Sequence, residues 1–197
     1  MSKHVRYVVL SVLLFSVLSF AVAPALAGTV RISLSSSSVS VLTGEDGAVL
    51  FEGEKLQFLS QAGEPRLPYR VLKILLPPDA DLSTVSVSLD NVRETETGGS
   101  WNVNPVPPMA TWDGEKTIEA WPEDRNIEDG RDVAVYGTDA LFPGERTLVC
   151  RTGEIRGWKV VDVPVALFRY NPVTRRLARL EAADVVVDYA GSTGKSA

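Results

Sequence analysis

The side chains best equipped for chemistry crowd into one short stretch. Residues 113–132 hold Asp113, Glu115, Glu119, Glu123, Asp124, Glu128, Asp129 and Asp132, interrupted by Lys116, Arg125 and Arg131. Two carboxylates at the right separation can cleave a glycosidic bond. Alternating oxygen ligands can hold calcium, and Asp124-x-Asn126-x-Glu128 offers them. An EF-hand loop, however, needs glycine at its sixth position and a bidentate carboxylate at its twelfth. Those positions are Asp129 and Val135. A looser calcium ion in the 113–132 loop is the remaining alternative to the default, an acidic loop facing solvent with no cofactor and no metal. A hydrolase built on these carboxylates alone ranks last, because a crowd of loop carboxylates pairs by chance.

The scarce residues exclude more. The chain has one histidine, His4, and one cysteine, Cys150. His4 lies in a segment expected to be removed, so the mature chain has no Ser-His-Asp triad, no Cys-His pair and no histidine-ligated metal. A single cysteine makes no internal disulfide and no multi-cysteine cluster. Cys150 alternates onto the face of Leu148 and reads as a core thiol. Nucleophile-elbow, P-loop, dinucleotide and zinc-protease motifs are all absent. The chain reads as non-catalytic.

The elements that hold these residues are strands. With 197 residues, 45% apolar and 23% charged, the chain has the composition of a globular protein with one sizeable core. Lys3, His4 and Arg6 precede an apolar run over residues 7–20, then Pro24 and Ala25-Leu26-Ala27. That is the order of a secretory signal peptide, expected at residues 1–27, with the mature protein secreted or extracytoplasmic. The membrane is met only through that signal. Cleavage leaves 18 basic residues against 25 acidic ones, a net charge of −7. Nucleic acid is not expected as a partner, since that needs a basic surface.

Beyond the signal the hydrophobic period is two nearly everywhere. Residues 28–62 form an N-terminal β segment. Residues 69–76 and 85–90 read as strands, the first stopped by Pro77-Pro78. The pattern loosens over residues 91–132, then order returns at 132–136 and 147–151. Val161, Val163, Val165 and Leu167 share one face of the strongest strand. A turn at Asn171-Pro172 leads to two further strands, 177–181 and 185–189, and residues 190–197 read as a flexible tail. This spacing predicts an all-β domain, an antiparallel β-sandwich of jelly-roll-like kind. Among the tryptophans, Trp158 opens the strongest strand and reads as core. Trp101, Trp112 and Trp121 sit in loops and could serve an interface.

Several motifs, taken in order, resemble the N-terminal propeptide of gingipain-type (C25) cysteine peptidases. Gly63-Glu64-Pro65-Arg66-Leu67-Pro68 is similar to that family's G-x-P-x-L-P opening, and Leu75-Leu76-Pro77-Pro78-Asp79-Ala80 to the strand that follows. Tyr136 and Leu141-Phe142-Pro143-Gly144-Glu145 resemble its aromatic-Pro-Gly segment. Arg156-Gly157-Trp158, Val163-Pro164-Val165 and Tyr170-Asn171-Pro172-Val173-Thr174 resemble its late hairpin. Residues 185–189 match its closing strand. The likeness covers residues 63–189.

This resemblance implies a prodomain that binds a gingipain-type cysteine peptidase in cis or in trans. It keeps the enzyme latent, and assists its folding, by placing a loop with a basic side chain across the cleft. The chain departs from the family pattern in stopping where the peptidase would begin. Arg125 and Arg131 are the inhibitory-loop candidates, with Lys116 as the alternative. The motif residues carried over are Gly63, Pro65, Leu67, Pro68, Pro143, Gly144, Tyr170, Asn171 and Pro172. The competing reading is an extracellular carbohydrate- or protein-binding β-sandwich module using the loop tryptophans.

Overall fold

Alternation decides which faces are buried. The computed structural model describes residues 27–191. The expected signal, apart from Ala27, and the last six residues of the expected tail lie outside the described residues. In chain order the elements are β1 (Ala27–Leu34), β2 (Ser40–Thr43), β3 (Val49–Glu52), β4 (Gln57–Phe58), β5 (Pro68–Leu76), β6 (Ala80–Thr97), β7 (Met109–Trp112), β8 (Thr117–Ala120), β9 (Ile127–Glu128), β10 (Arg131–Asp132), α1 (Val133–Tyr136), β11 (Arg151–Ile155), β12 (Trp158–Ala166), β13 (Phe168–Asn171) and β14 (Arg176–Gly191). The strands pair antiparallel throughout, as an all-β fold requires.

Two four-stranded sheets carry the structure. In the first, β14 is central: β6 runs along one edge, while β1 and β13 share the other. In the second the order is β11-β12-β5-β4. Their apolar faces meet in one core. Val161, Val163 and Val165 of β12 are fully buried, as is Leu167, on the face their alternation predicts. The same cluster takes Ile74 and Leu76 from β5, Phe168 and Tyr170 from β13, and Leu177, Leu180, Val185 and Val187 from β14. Each fully buried aliphatic side chain contributes roughly 1.5–3 kcal/mol, so this cluster dominates stability.

The structure differs from the sequence expectation in five places. The two closing strands are one, β14. Ala178 and Leu180 are buried before the register shifts at Leu180/Ala182 and Ala182/Asp184, and Ala183, Val185 and Val187 after them, so the buried parity changes where the pairing with β6 slips. A bulge thus reads as a strand break in the sequence. The strand also runs on to Gly191, paired with Ala80, so Ala190 and Gly191 are not tail. β6 extends far past Asp90, its last part held by pairing to β14 rather than by burial. Residues 133–136 form a helical turn, because Asp132 accepts the Ala134 N–H at 2.9 Å as an N-cap. Residues 147–150 meet the sheet through a single bridge, Thr147 to Val165, and the strand itself starts at Arg151. The N-terminal segment is integral to the first sheet, since β1 pairs with β14 from Ala27↔Ala190 to Leu34↔Ala183.

The tryptophans also exchange places. Trp158 is half-exposed, because it opens β12 at the end of the sheet and alternates away from the face of Val161. Trp101 packs against the core and donates its indole N–H to the Thr97 carbonyl at 3.3 Å. Cys150 is half-buried beside Leu148, and burial pushes its thiol up from the ordinary value, which disfavours the thiolate.

Burial makes the fold sensitive to alkali. Tyr69 is 1% exposed, and burial, reinforced by the Glu64 carboxylate, pushes its phenol up to about 12. Burial raises Tyr136 as well. An unfolded tyrosine ionises near pH ~10, so the folded state holds these protons more tightly. The stabilisation is complete below about pH 10 and is lost as pH rises through about 12. Melting temperatures followed by circular dichroism are expected to fall across that interval, and to fall less in Tyr69→Phe.

Candidate functional site

The motif Gly63-Glu64-Pro65-Arg66-Leu67-Pro68 is a brace that fixes the long loops to the second sheet. Leu67 is fully buried, and the Pro68 carbonyl accepts the Leu167 N–H at 3.0 Å. Pro65 bridges to Pro105, and the Val106 N–H donates to the Glu64 carbonyl at 2.8 Å. Gly63 sits at φ +90°, where a side chain is strained. A Cβ there would also lie 2.7 Å from Ile127 Cδ1. The residue must be glycine for the 121–132 loop to close on it, with the Asp132 N–H donating to the Gly63 carbonyl at 3.0 Å.

The same contact gathers three charges. Arg125 Nη1 donates to Glu64 Oε1 at 2.6 Å and to Asp132 Oδ2 at 2.8 Å. All three side chains are largely buried, at 21%, 11% and 6% exposure for Arg125, Glu64 and Asp132. Glu64 Oε2 also accepts the Gln61 N–H at 2.7 Å. Arg125 therefore points into its own domain, clamped by two carboxylates. Those carboxylates converge on a guanidinium, which is the opposite of an acid/base pair awaiting substrate.

Lys116 stands in a different setting. The hairpin of β7 and β8 is exposed along its whole length, with Met109 and Trp112 at 71% and 68% exposure. Its turn is rigid. Asp113 Oδ1 accepts the N–H groups of Lys116 at 2.8 Å and Glu115 at 2.9 Å, and the Asp113 N–H donates to the Lys116 carbonyl at 3.2 Å. These bonds hold the Asp113 carboxyl below its ordinary value. Lys116 thus projects from a fixed tip. Arg131 is exposed at the start of β10, with its guanidinium 5.2 Å above the Tyr136 ring.

The later motif residues are loop anchors. Phe142 and Tyr170 exchange backbone hydrogen bonds of 2.8 and 2.7 Å. The Pro143 carbonyl accepts Arg169 Nε at 2.9 Å, beside the exposed Gly144. Asn171 Oδ1 accepts the N–H groups of Val173 and Thr174 at 3.0 and 3.1 Å across the turn that Pro172 opens. Among the described residues no group of three or more His, Cys, Asp or Glu is placed to hold a metal ion.

A sequence comparison decides what these braces belong to. The family model described as Propeptide_C25 matches residues 46–196. The chain belongs to the C25 propeptide family. The match begins within the N-terminal β segment, earlier than the motif likeness from Gly63, in keeping with the pairing of that segment into the main sheet. No curated protein sequence matches this propeptide.

Solved structures share its fold. The complex of Porphyromonas gingivalis RgpB pro- and mature domains matches with a TM-score of 0.57 at 18% identity, over 86% of this chain and 83% of that one. The structure addressing the zymogenic latency of gingipain K from Porphyromonas gingivalis matches at 0.56 and 15% identity, over 84% of this chain and all of that one.

Within this propeptide the three basic candidates are set apart. Arg125 is an internal clamp, Arg131 lies on an aromatic ring, and Lys116 extends from an exposed turn. Of the loop tryptophans, Trp112 is exposed on β7, Trp121 is half-buried against Gly130, and Trp101 packs against the core. Sequence reading missed the Glu64–Arg125–Asp132 cluster, since Glu64 and Arg125 lie 61 residues apart and no local pattern links them. It also missed the second ionic knot, in which Arg146 and Arg169 meet Glu94.

Proposed function

We propose that this propeptide binds the catalytic domain of a gingipain-type cysteine peptidase, in cis or in trans, lies across its active-site cleft and keeps it latent. It is exported by its signal peptide, and its rigid sheets assist folding of the catalytic domain. The observation that carries the reading is the β7–β8 hairpin, exposed on both faces, with a cation on a hydrogen-bonded tip. An isolated two-stranded hairpin is marginal in water, so a partner surface suits it. The Lys116 ammonium fits an acidic specificity pocket, while Trp112 and Met109 supply apolar contact around it.

The test is inhibition of a C25 peptidase catalytic domain by the purified chain. Lys116→Ala is expected to raise the inhibition constant about 30-fold, as for a centrally placed anchor, with an unchanged melting temperature. Arg131→Ala is expected to have the smaller effect. Equal constants for wild type and Lys116→Ala would remove Lys116 from the role. Absence of inhibition by the wild-type chain would overturn the reading itself.

A further inference from the structure

The second sheet ends in an open strand edge with a basic groove beside it. β4 covers only Tyr69 and Pro68 of β5. Among the described residues, β5 from Arg70 onwards pairs on one side alone, with β12, as far as Leu76↔Lys159. In an antiparallel strand half the N–H and C=O groups point to each side. The backbone over residues 70–76 therefore presents a row of donors and acceptors away from β12.

Beside this edge lies a groove of about 660 Å³, lined by Ser38, Gly53, Lys55, Arg70, Leu72 and Lys73, with Glu54 at its margin. Lys55 and Arg70 stand there with the Glu54 carboxylate, while the third cation, Lys73, is paired to Asp162. Among the described residues Arg70 hydrogen-bonds to neutral acceptors, the Ser35 carbonyl at 3.1 Å and Ser38 Oγ at 3.3 Å, so its charge is not offset by them. Lys55 is exposed in a left-handed turn at φ 55°. Lys73 reaches Asp162 at 2.5 Å on the outer face. The long edge of β6 contrasts with this. It carries Asp81, Asp90, Glu94 and Glu96, and its pairing with β14 is broken by register shifts, the usual means of keeping strands away.

We propose that the β5 edge from Arg70 to Leu76 is a strand-addition site for an extended acidic segment of a partner protein. Main-chain hydrogen bonds to β5 supply the affinity and fix the strand direction. Lys55 and Arg70, both beside the groove, select carboxylates on the face of the added strand that meets them, where side chains recur every second residue. Basic residues on an edge also repel a second basic edge, so the acidic occupant is favoured over another copy of β5. This site lies on a different sheet from Lys116 and does not rest on the peptidase reading.

The experiment uses the mature chain and a fluorescein-labelled eight-residue peptide of alternating valine and glutamate, read by anisotropy. Saturable binding is expected, with Lys55→Glu weakening it about 10-fold and Lys73→Gln weakening it less. Circular dichroism confirms that both variants fold. Methylation of alternate peptide amides is expected to abolish binding, and hydrogen exchange at residues 70–76 is expected to slow in the complex. No saturable binding up to about 1 mM peptide, or binding indifferent to amide methylation, overturns the proposal. So does a chain that sediments as a dimer and ignores the peptide.

Discussion

Replacing Arg125 by alanine is expected to cost the fold about 3–5 kcal/mol, the usual consequence of leaving buried charge without its partner. Glu64 and Asp132 are 11% and 6% exposed, and Arg125 Nη1 is the group that holds them together. Without it, two carboxylates face each other in a poorly hydrated site. Arg125 is itself 21% exposed, so water can reach the cluster and the loss belongs near the lower figure. For a domain of this size that is a melting temperature lower by about 10 °C. Arg125→Ala combined with Glu64→Gln and Asp132→Asn is expected to recover part of the loss, because the charges go while the Asp132 cap is retained in kind. An Arg125→Ala variant that melts with the wild type would show that the clamp contributes nothing.

The second large effect is expected from Glu94→Ala. The Arg146 side chain is 5% exposed and directs Nε and Nη2 at one oxygen, Glu94 Oε2, with the Nε contact at 3.0 Å. Its Nη1 donates to the Ala166 carbonyl at 2.8 Å. Burial holds the Arg146 guanidinium below its ordinary value, against the pull of Glu94. Arg169 approaches the same carboxylate at 3.7 Å. Removing Glu94 leaves two guanidinium groups together with no anion. The expected cost is about 3 kcal/mol, measured by urea denaturation. Glu94→Gln keeps an acceptor and is expected to cost about 1 kcal/mol. The knot joins β6 to the segment that follows Pro143-Gly144, so its loss is also expected to speed proteolysis of residues 142–150.

These two clusters mark what could and could not be read from the sequence. The core strand was legible because Val161, Val163, Val165 and Leu167 alternate without interruption. The same parity, followed one step further, places Trp158 on the opposite face, and the expectation that it was core ignored that count. β14 reads as two strands because Leu180 and Val185 differ in parity, and only pairing with β6 reveals the register shifts between Leu180 and Asp184. The motif Gly63-Glu64-Pro65-Arg66-Leu67-Pro68 was visible as a motif, yet its role was not. Its work is to receive Arg125 and Asp132, which approach from more than 60 residues away. Charge density in residues 113–132 was plain, but sequence gives no depth. It could not separate Arg125, turned inward, from Lys116, held outward by the Asp113 turn.

That separation has a consequence for experiments on function. A weaker inhibitor made by Arg125→Ala reflects a loosened domain, and its melting temperature records this. A weaker inhibitor made by Lys116→Ala, at unchanged stability, reports on contact with the target.

The most direct measurement of the central claim is protection of the peptidase's active site. A C25 catalytic domain is mixed with an equimolar amount of the mature chain, and its catalytic cysteine is labelled by a substrate-like thiol reagent. The expected result is a labelling rate that falls in proportion to bound propeptide and returns when the two are separated. A stable complex in which the cysteine is labelled as fast as in the free enzyme would contradict occlusion of the cleft.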